Sequence, residues 1–407
     1  MTPERRIDVL VVGAGPAGLA AATRLATAGA GHVEVLERDQ QAGGVPRHCA
    51  HGGFGTLPRP RTGPAYARLL TEVATRAGAV IRTGVTALDW TGPLTLTAVG
   101  PNGPETITAR AIVLATGARE RPRSARLVPG TRPVGVYTTG ELQQAVHLYR
   151  QRIGTRAVVV GAEDVSYAAA DTARAAGADV VAMVTELPRA RTAPARAQDA
   201  RLRRGIPLLT GTTVTELLGH GRLSGVRIRH RDGRTAVLPC DTIVFTGDFV
   251  PDHELARRGG VPLDPGTRGP AVDGALRTLR PGVFAVGSVL HPVESAGTAA
   301  REGTHAATAV QAWLAGADWS EGVPLVVDPP LHWIAPNRVT PTDRLRYVLR
   351  ATAPLTRPTL HVTQDGRTLH RAAVLLNRQL TLTARWTHRV DPKGGPVRVS
   401  VPCGSAP

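Results

Sequence analysis

Residues 7–37 read IDVLVVGAGPAGLAAATRLATAGAGHVEVLE, and this stretch decides the fold of the chain. Residues 7–12 form a short apolar run that is typical of a buried parallel strand. Gly13, Gly15 and Gly18 follow with the spacing G-x-G-x-x-G, which is typical of a dinucleotide-binding turn between a strand and a helix. The first glycine permits the tight turn, the second lets the backbone approach a pyrophosphate, and the third lets the helix lie close to the strand.

Glu37 ends the second strand of this unit. A carboxylate at this place can bond the ribose hydroxyls of an adenine dinucleotide. The N-terminus of the helix adds unpaired N–H groups and the positive end of the helix dipole, and both stabilise a diphosphate. The stretch therefore predicts a site for the adenosine diphosphate half of a dinucleotide.

The length and the cysteines bound the class of protein. A chain of 407 residues predicts two or three domains. Residues 1–10 lack a signal-peptide core and the chain has no long apolar run, so we expect a cytoplasmic protein without a transmembrane segment. Cys49, Cys240 and Cys403 form no C-x-x-C pair, so we predict no disulfide framework, zinc ribbon, iron–sulfur cluster or other metal site.

The formal net charge of +17 raises the question of nucleic acid. The arginines are scattered, Lys393 is the only lysine, and aromatic residues make up 3% of the chain, which is too few for a platform that stacks bases. We therefore expect no nucleic-acid binding and only a general attraction to anionic substrates or membrane surfaces. The densest basic run, RERPRSAR at 119–126, is interpreted as a solvated loop.

Between the first unit and residue 117 the chain alternates loops, a helix and strands. A glycine- and histidine-rich loop spans 41–63, and a helix is predicted over 64–77. Strand-like segments at 80–83, 94–99 and 106–109 predict a small antiparallel excursion, with P-N-G at 101–103 as its turn. A buried strand at 111–114 then ends in small residues, where a cofactor or a crossing chain can pass closely. Those small residues are Ala115, Thr116 and Gly117.

A second strand–turn–helix–strand unit begins at Ala157, but its glycine fingerprint is altered. Glu163 replaces the second glycine and Ser166 replaces the third. A Glu side chain brings bulk and negative charge to the point where a pyrophosphate comes closest. The pattern therefore favours a retained nucleotide-type fold with reduced or absent binding of NAD(P)H.

The last third of the chain predicts more strands, a long helix and a β-rich tail. Strands are predicted within 206–247 and at 283–286, the latter ending at Gly287-Ser288. A long helix is expected to start near Glu294 or Ser295, with its N-terminus toward the electron-rich side of a bound flavin. Residues 322–407 predict a small β domain, with a turn at Asp365-Gly366.

Taken together, GAGPAG with Glu37, ATGARERP, GAEDVS and PGVFAVGS resemble the flavoproteins of the pyridine nucleotide–disulfide oxidoreductase superfamily, over about residues 5–317. GGVPRHCAHGGFG and the segment after ATGARERP look most like the α subunits of sarcosine and opine oxidases, hydrogen cyanide synthase subunits and a flavoprotein associated with glycerol-3-phosphate dehydrogenase. The resemblance implies an α/β fold with two Rossmann-like FAD/NAD(P)-type domains, the second inserted in the first, plus a small C-terminal β domain. The implied domains are 1–125 with 248–317 for FAD, 150–247 for the NAD(P)-type unit, and 322–407.

The resemblance also implies where FAD binds. The implied FAD contacts are Gly13, Gly15, Pro16, Ala17, Gly18, Glu37, Arg38, Gly44, Val45, Val85, Ala115, Thr116, Gly117, Gly287 and Ser288. Ser288 stands where the superfamily usually has an aspartate that bonds the ribityl chain, so that contact is expected to be shorter, neutral or water-mediated. The adjacent redox cysteines of the disulfide reductases are missing.

Cys49, His48 and His51 are the candidate catalytic residues. Arg47 and the histidines are expected to lower the pKa of the Cys49 thiol, which would suit a redox role. The alternative, which we favour, is a buried or flavin-shielding cysteine in a glycine-rich loop. Either histidine can remove a substrate proton near neutral pH, or can make a structural hydrogen bond. His291 and Glu294 are further candidates for contact with substrate.

These features predict an FAD-dependent oxidoreductase that takes hydride from a small amine, amino acid or hydroxy compound and passes electrons to oxygen, a quinone or a protein. One alternative is an NAD(P)H-dependent flavin reductase or oxidoreductase. Another is a flavoprotein subunit of a larger dehydrogenase complex. The expected partners are a small-molecule substrate and a protein partner or a second copy of the chain.

Overall fold

The computed structural model describes residues 4–55, 60–292, 295–352, 355, 358–373 and 380–402. The stretch that decides the fold forms the centre of the first sheet. The elements of this first unit are β1 (Glu4–Val12), α1 (Pro16–Thr27), β2 (Val33–Glu37), α2 (Gly63–Arg76), β3 (Val80–Thr83), β4 (Thr86–Gly92), β5 (Thr95–Gly100) and β6 (Gly103–Leu114). The strand order is β3-β2-β1-β6-β5-β4. Strands β1 and β6 are buried and rich in Val, Ile and Leu, as expected of parallel strands that are covered on both faces.

Strand β3 corrects one detail of the sequence analysis. Residues 80–83 form the expected strand, but it pairs parallel to β2, with Glu34 opposite Val80. Parallel neighbours need a crossover connection, because the chain must return to the other end of the sheet before the next strand begins. Helix α2 provides this crossover between β2 and β3, which a short turn could not do. The antiparallel excursion therefore consists of β4, β5 and the first half of β6, and the predicted P-N-G turn joins β5 to β6.

The second unit is a parallel sheet with a small meander beside it. Its elements are β7 (Ala118–Glu120), β8 (Val136–Thr138), α3 (Thr139–Gln143), β9 (Arg156–Val160), α4 (Asp164–Ala175), β10 (Asp179–Val184), α5 (Pro194–Leu202), β11 (Leu208–Leu209), β12 (Thr212–Leu218), β13 (Gly225–His230), β14 (Thr235–Leu238), β15 (Thr242–Phe245) and β16 (Phe249–Pro251). The parallel order is β11-β10-β9-β15-β8, and β12-β13-β14 form the meander. Strands β7 and β16 pair antiparallel where the chain leaves the first unit and returns to it.

After this return the chain completes the first sheet. The elements are α6 (Glu254–Arg258), β17 (Val283–Ala285) and α7 (Ala296–Leu314). Strand β17 pairs parallel with the end of β6, so the second unit is inserted in the first. Ser295 caps α7 by accepting a hydrogen bond from the N–H of Thr298 at 3.1 Å, close to where the sequence predicts the helix to begin. Glu294 lies outside the described residues.

The C-terminal part is a small β domain with its own core. Its strands are β18 (Val323–Val327), β19 (Leu331–Ala335), β20 (Arg338–Val339), β21 (Tyr347–Ala351), β22 (Thr359–Gln364), β23 (Arg367–Ala373), β24 (Leu380–Leu382) and β25 (Val397–Ser400). They form two sheets, β20-β18-β25-β22-β23 and β19-β21-β24. The predicted turn joins β22 to β23, with positive φ at Asp365 and Gly366 as a type I′ hairpin requires.

The C-terminal domain is hydrogen-bonded to the first unit. The side-chain oxygen of Asn337 accepts from the N–H of Val272 at 2.8 Å. The carboxylate of Asp343 accepts from the N–H of Gly274 at 3.1 Å. Because these acceptors are buried, the contacts fix how the domain sits on the unit. Among the helices of the described residues, none is both long enough and apolar enough to cross a membrane.

Candidate functional site

In the glycine turn before α1, two glycines are in close contact with the backbone and the third faces open space. A Cβ on Gly13 would lie 2.4 Å from the carbonyl oxygen of Ala115, and one on Gly18 would lie 1.9 Å from that of Gly13. These two glycines are therefore required by close backbone contacts. A Cβ on Gly15, the N-cap of α1, would meet no protein atom within 4 Å. The open side of the turn faces away from the protein at the helix N-terminus, as a pyrophosphate site requires.

Glu37 is held beside this turn. Its two carboxylate oxygens accept hydrogen bonds from the N–H groups of Ala14 and Asp39, each at 3.0 Å. Burial raises the pKa of the Glu37 carboxyl, while these two hydrogen bonds act to lower it. The bonds fix the orientation of the carboxylate next to the open side of Gly15. Arg38 is directed elsewhere, since its guanidinium pairs with Asp252 at 3.4 Å.

A second glycine loop closes on the turn. Gly44 has φ 61°, and a Cβ there would lie 2.8 Å from the Cα of Gly15. Val45 follows with 57% of its surface exposed at the rim of the loop. Val85 is buried, and its N–H donates to the carbonyl of Glu37 at 2.9 Å. The predicted contacts from three separate segments are thus brought together around Gly15 and Glu37.

The crossover residues and the turn after β17 complete this region. The Thr116 hydroxyl donates to the carbonyl of Asp252 at 2.6 Å, so it holds the returning chain. Gly287 has φ 77°, and a Cβ there would lie 2.6 Å from the Cβ of Ala17 on α1. Ser288 follows in the same short 3₁₀ turn. The first unit therefore presents an open glycine turn, a fixed acid and close backbone segments, and this arrangement fits FAD.

The turn of the second unit is filled by its own side chain. A carboxylate oxygen of Glu163 accepts from the N–H of Ala162 at 3.1 Å and from the Ser166 hydroxyl at 3.3 Å. The Ser166 hydroxyl also lies 2.6 Å from that of Thr246 on the far side of the turn. Glu163 is the N-cap of α4, the position that Gly15 holds at α1. A negative charge of the protein thus occupies the helix N-terminus that would otherwise attract a phosphate.

Cys49 is a buried, protonated thiol. Its Sγ lies 3.3 Å from Oε1 of Gln143 and 3.4 Å from the carbonyl oxygen of Val45, and it donates to these acceptors. Burial raises the pKa of the thiol to about 12, and the charge of Glu120 acts in the same direction. The expectation of a lowered pKa, which a redox role needs, is therefore wrong, and the burial of Cys49 agrees with the favoured alternative. Arg47 does not offset the burial, because its guanidinium pairs with Asp39 at 3.0 Å.

The two candidate histidines lie in different environments. His48 is buried, and its Nε2 has no hydrogen-bond partner among the described residues. Burial, followed by the charge of Arg47, lowers the pKa of His48 to about 4, so its imidazole is neutral near pH 7. His51 is exposed, and its Nδ1 lies 2.9 Å from the carbonyl oxygen of Gly52. The turn of residues 45–48 packs against α3 of the second unit, and we call this contact the junction of the two units. His48 lies inside the junction, and the exposed His51 lies at its rim.

Three site residues were missed by the sequence analysis. Gln143 ends α3 and holds the Cys49 thiol. Glu120 accepts from the N–H groups of Gly140 at 2.8 Å and Gly247 at 3.2 Å, and burial raises the pKa of its carboxyl. Glu302 on α7 accepts from the N–H of Gly287 at 2.9 Å. Their partners are distant in the sequence, so a local motif gives no signal for them.

The basic run at 119–126 lies at the surface, but several of its arginines are paired with residues of other segments. Arg119 pairs with Glu254 at 3.0 Å, and Arg121 pairs with Asp248 at 2.8 Å. Arg126 is half-buried and donates to the carbonyls of Thr246 and Gly247. These contacts tie the connection between the two units to the segment that returns from the second unit.

One open and one filled nucleotide turn, on two Rossmann-like sheets, define a flavin-dependent oxidoreductase with two dinucleotide-type domains. Residues 7–303 match the family described as pyridine nucleotide-disulphide oxidoreductase. The chain belongs to this family.

Relatives and solved structures agree with this assignment. Thioredoxin reductase of Mycolicibacterium smegmatis is 30% identical over 317 residues, which cover 76% of this chain and 97% of that protein. Sarcosine oxidase subunit alpha of Corynebacterium sp. (strain P-1) is 31% identical over 270 residues, which cover 60% of this chain and 26% of that protein. The crystal structure of T. acidophilum thioredoxin reductase superposes with a TM-score of 0.65 at 25% identity, and the match covers 75% of this chain and 98% of that one.

These findings confirm the predicted fold class, an FAD-dependent oxidoreductase as the class of enzyme, and FAD as cofactor, with NAD(P)H as a compatible second one. They also confirm the likeness to sarcosine oxidase α subunits. The resemblance to hydrogen cyanide synthase subunits and to the glycerol-3-phosphate dehydrogenase flavoprotein stays a prediction. The domain boundaries and the roles of individual site residues stay predictions too.

Proposed function

We propose that this chain oxidises a small amine, amino acid or hydroxy compound at FAD and passes the electrons to oxygen, a quinone or a protein. Glu163 carries this proposal. A nicotinamide dinucleotide would have to place its pyrophosphate at the N-terminus of α4, where the Glu163 carboxylate already accepts hydrogen bonds. Like charges repel there, and displacing the carboxylate would break its bonds to Ala162 and Ser166. An organic donor that reaches the flavin directly avoids this obstacle.

His48 is our proposed hydrogen-bond acceptor for the donor in this reaction. FAD, when bound, supplies the hydride acceptor. The His48 imidazole is neutral near pH 7, so Nε2, which lacks a partner among the described residues, is free to accept a hydrogen bond from the O–H or N–H of a donor, while its low pKa makes it a weak base. The protonated Cys49 thiol holds Gln143, which lines the same junction. His51 lies at the exposed rim, where it can contact a substrate as it enters.

A second candidate is an NAD(P)H-dependent flavin oxidoreductase. The comparisons favour this alternative over an organic donor, because the match to thioredoxin reductase spans nearly the whole of that protein. The match to sarcosine oxidase subunit alpha supports a third arrangement, a flavoprotein subunit of a larger complex, since this chain covers about a quarter of that subunit. Size-exclusion chromatography of the native protein distinguishes an obligate subunit from a free monomer or homodimer.

The anaerobic absorption spectrum of the purified flavoprotein tests the choice of reductant. We expect the flavin to stay oxidised when NADH or NADPH is added, and to bleach with an amine, amino acid or hydroxy acid from a panel. Immediate bleaching by either nicotinamide would reject the organic donor in favour of the second candidate. The variant Glu163→Gly should bind NADH or NADPH at least about tenfold more tightly than wild type. Glu216→Ala, on β12 of the same unit, is the matched control and should leave nicotinamide affinity unchanged.

A further inference from the structure

Glu302 on α7 divides its carboxylate between a backbone turn and a histidine. One oxygen accepts from the N–H of Gly287 at 2.9 Å, and the other lies 2.8 Å from Nε2 of His291. Both side chains are buried, so water contributes little to either contact. The pair therefore ties the turn after β17 to the middle of α7.

The turn held by Glu302 lies against the phosphate-binding helix of the first unit. A Cβ on Gly287 would lie 2.6 Å from the Cβ of Ala17, and one on Gly303 would lie 2.0 Å from the carbonyl oxygen of Ala17. There is no room for this turn to move toward α1. On the side away from α1, the hydrogen bond from the N–H of Gly287 to Glu302 fixes the position of the turn.

A tryptophan of the C-terminal domain covers the pair. The Trp333 ring on β19 lies 5.7 Å from the His291 ring, between centroids. Trp333 is itself buried, and its Cβ packs against Gly266, where an added Cβ would lie 2.8 Å away. A buried hydrogen bond is stronger when water is excluded from it. The C-terminal domain therefore shields the contact between Glu302 and His291 from water.

We propose that Glu302 and His291 are positioning residues that hold the Gly287-Ser288 turn against bound FAD, and that the C-terminal β domain takes part in the flavin site through Trp333. The carboxylate places a fixed negative charge behind this turn, which disfavours the extra negative charge of reduced flavin. The inference rests on FAD binding by the first unit. It does not depend on whether the electrons come from an organic donor or from NAD(P)H.

The test compares Glu302→Gln with Glu105→Gln in the full-length holoprotein. Glu105 is also buried, and it pairs with Arg82 near the start of β6, the end of the strand that is remote from the glycine turn. The measurements are the dissociation constant of FAD and the midpoint potential of the bound flavin, both made without substrate. We expect Glu302→Gln to weaken FAD binding by about tenfold and to shift the potential to a more positive value. Glu105→Gln should leave the FAD dissociation constant within about twofold and the potential unchanged.

A third variant keeps the test decisive if Glu302→Gln does not fold. Trp333→Leu removes the cover without touching Gly287, and should shift the potential in the same direction by a smaller amount. The proposal is overturned if Glu302→Gln and Trp333→Leu both keep the wild-type potential, or if Glu105→Gln changes FAD affinity as much as they do. Neither result would bear on the reductant, which is decided separately by the bleaching experiment.

Discussion

At the scale of single residues, burial decides the chemistry of the junction more than the neighbouring charges do. The sequence places Arg47 and two histidines beside Cys49, and this pattern suggests an activated thiol. The structure buries the thiol and turns Arg47 toward Asp39, so the pKa of Cys49 rises to about 12. A motif shows which charges are near in the sequence, but it does not show which of them face the group.

Cys49 should therefore act as a hydrogen-bond donor and not as a redox thiol. In Cys49→Ser the hydroxyl can still donate to Gln143, so we expect kcat/KM within about threefold of wild type with the donor that bleaches the flavin. Cys49→Ala leaves the Gln143 oxygen without this donor and should lower kcat/KM by about tenfold. A redox role predicts instead that both variants lose turnover. Thermal unfolding of each variant checks that the fold is retained.

His48 should make stability depend on pH. Its pKa is about 4 in the folded protein against the ordinary value of 6.5, so below pH 6.5 the unfolded chain binds a proton that the folded chain does not. The free energy of unfolding should therefore fall by about 3 kcal/mol as the pH drops from 6.5 to 4. Urea unfolding at several pH values measures this slope. His48→Gln should flatten it, and His51→Gln, at an exposed position, should not; equal slopes in wild type and His48→Gln would refute the assignment.

At the scale of elements, local patterns predict what a strand or helix is, and they fail where a distant segment decides how it pairs. The glycine turn, α1, the second unit, β17 and α7 follow from periodicity and turn residues that lie within each element. Strand β3 runs parallel to its neighbour because it pairs with β2 after the α2 crossover. The residues of β3 themselves do not encode this choice of partner.

The same limit applies to the site. Glu37 and the glycines around Gly15 belong to one continuous motif, so their gathering follows from the sequence. Gln143 meets Cys49 across 94 positions of sequence, and Glu120 bonds N–H groups 20 and 127 positions away. Contacts of this kind depend on how distant segments pack together, which a single sequence does not reveal.

At the scale of the whole molecule, a few buried acceptors decide how the C-terminal domain sits on the first unit. Asn337→Ala removes the acceptor for the N–H of Val272, and should lower the free energy of unfolding by about 1–3 kcal/mol. Asn102→Ala, in the exposed turn between β5 and β6, should change it by less than about 0.5 kcal/mol. Chemical denaturation of the holoprotein measures both. If the two variants were equally stable, the Asn337 contact would not be what fixes the domain.

The pairing of β7 with β16 has a consequence for how this protein can evolve. Ala118 lies opposite Pro251, so the segment that leaves the first unit and the segment that returns to it are neighbours. The strands of the first sheet therefore come from chain segments before and after the insertion, and the two ends of the insertion pair with each other. A residue such as Glu163, within the insertion, has no part in the pairing of that sheet. The turn of the inserted unit can therefore change what that unit binds without altering the nucleotide turn of the host domain.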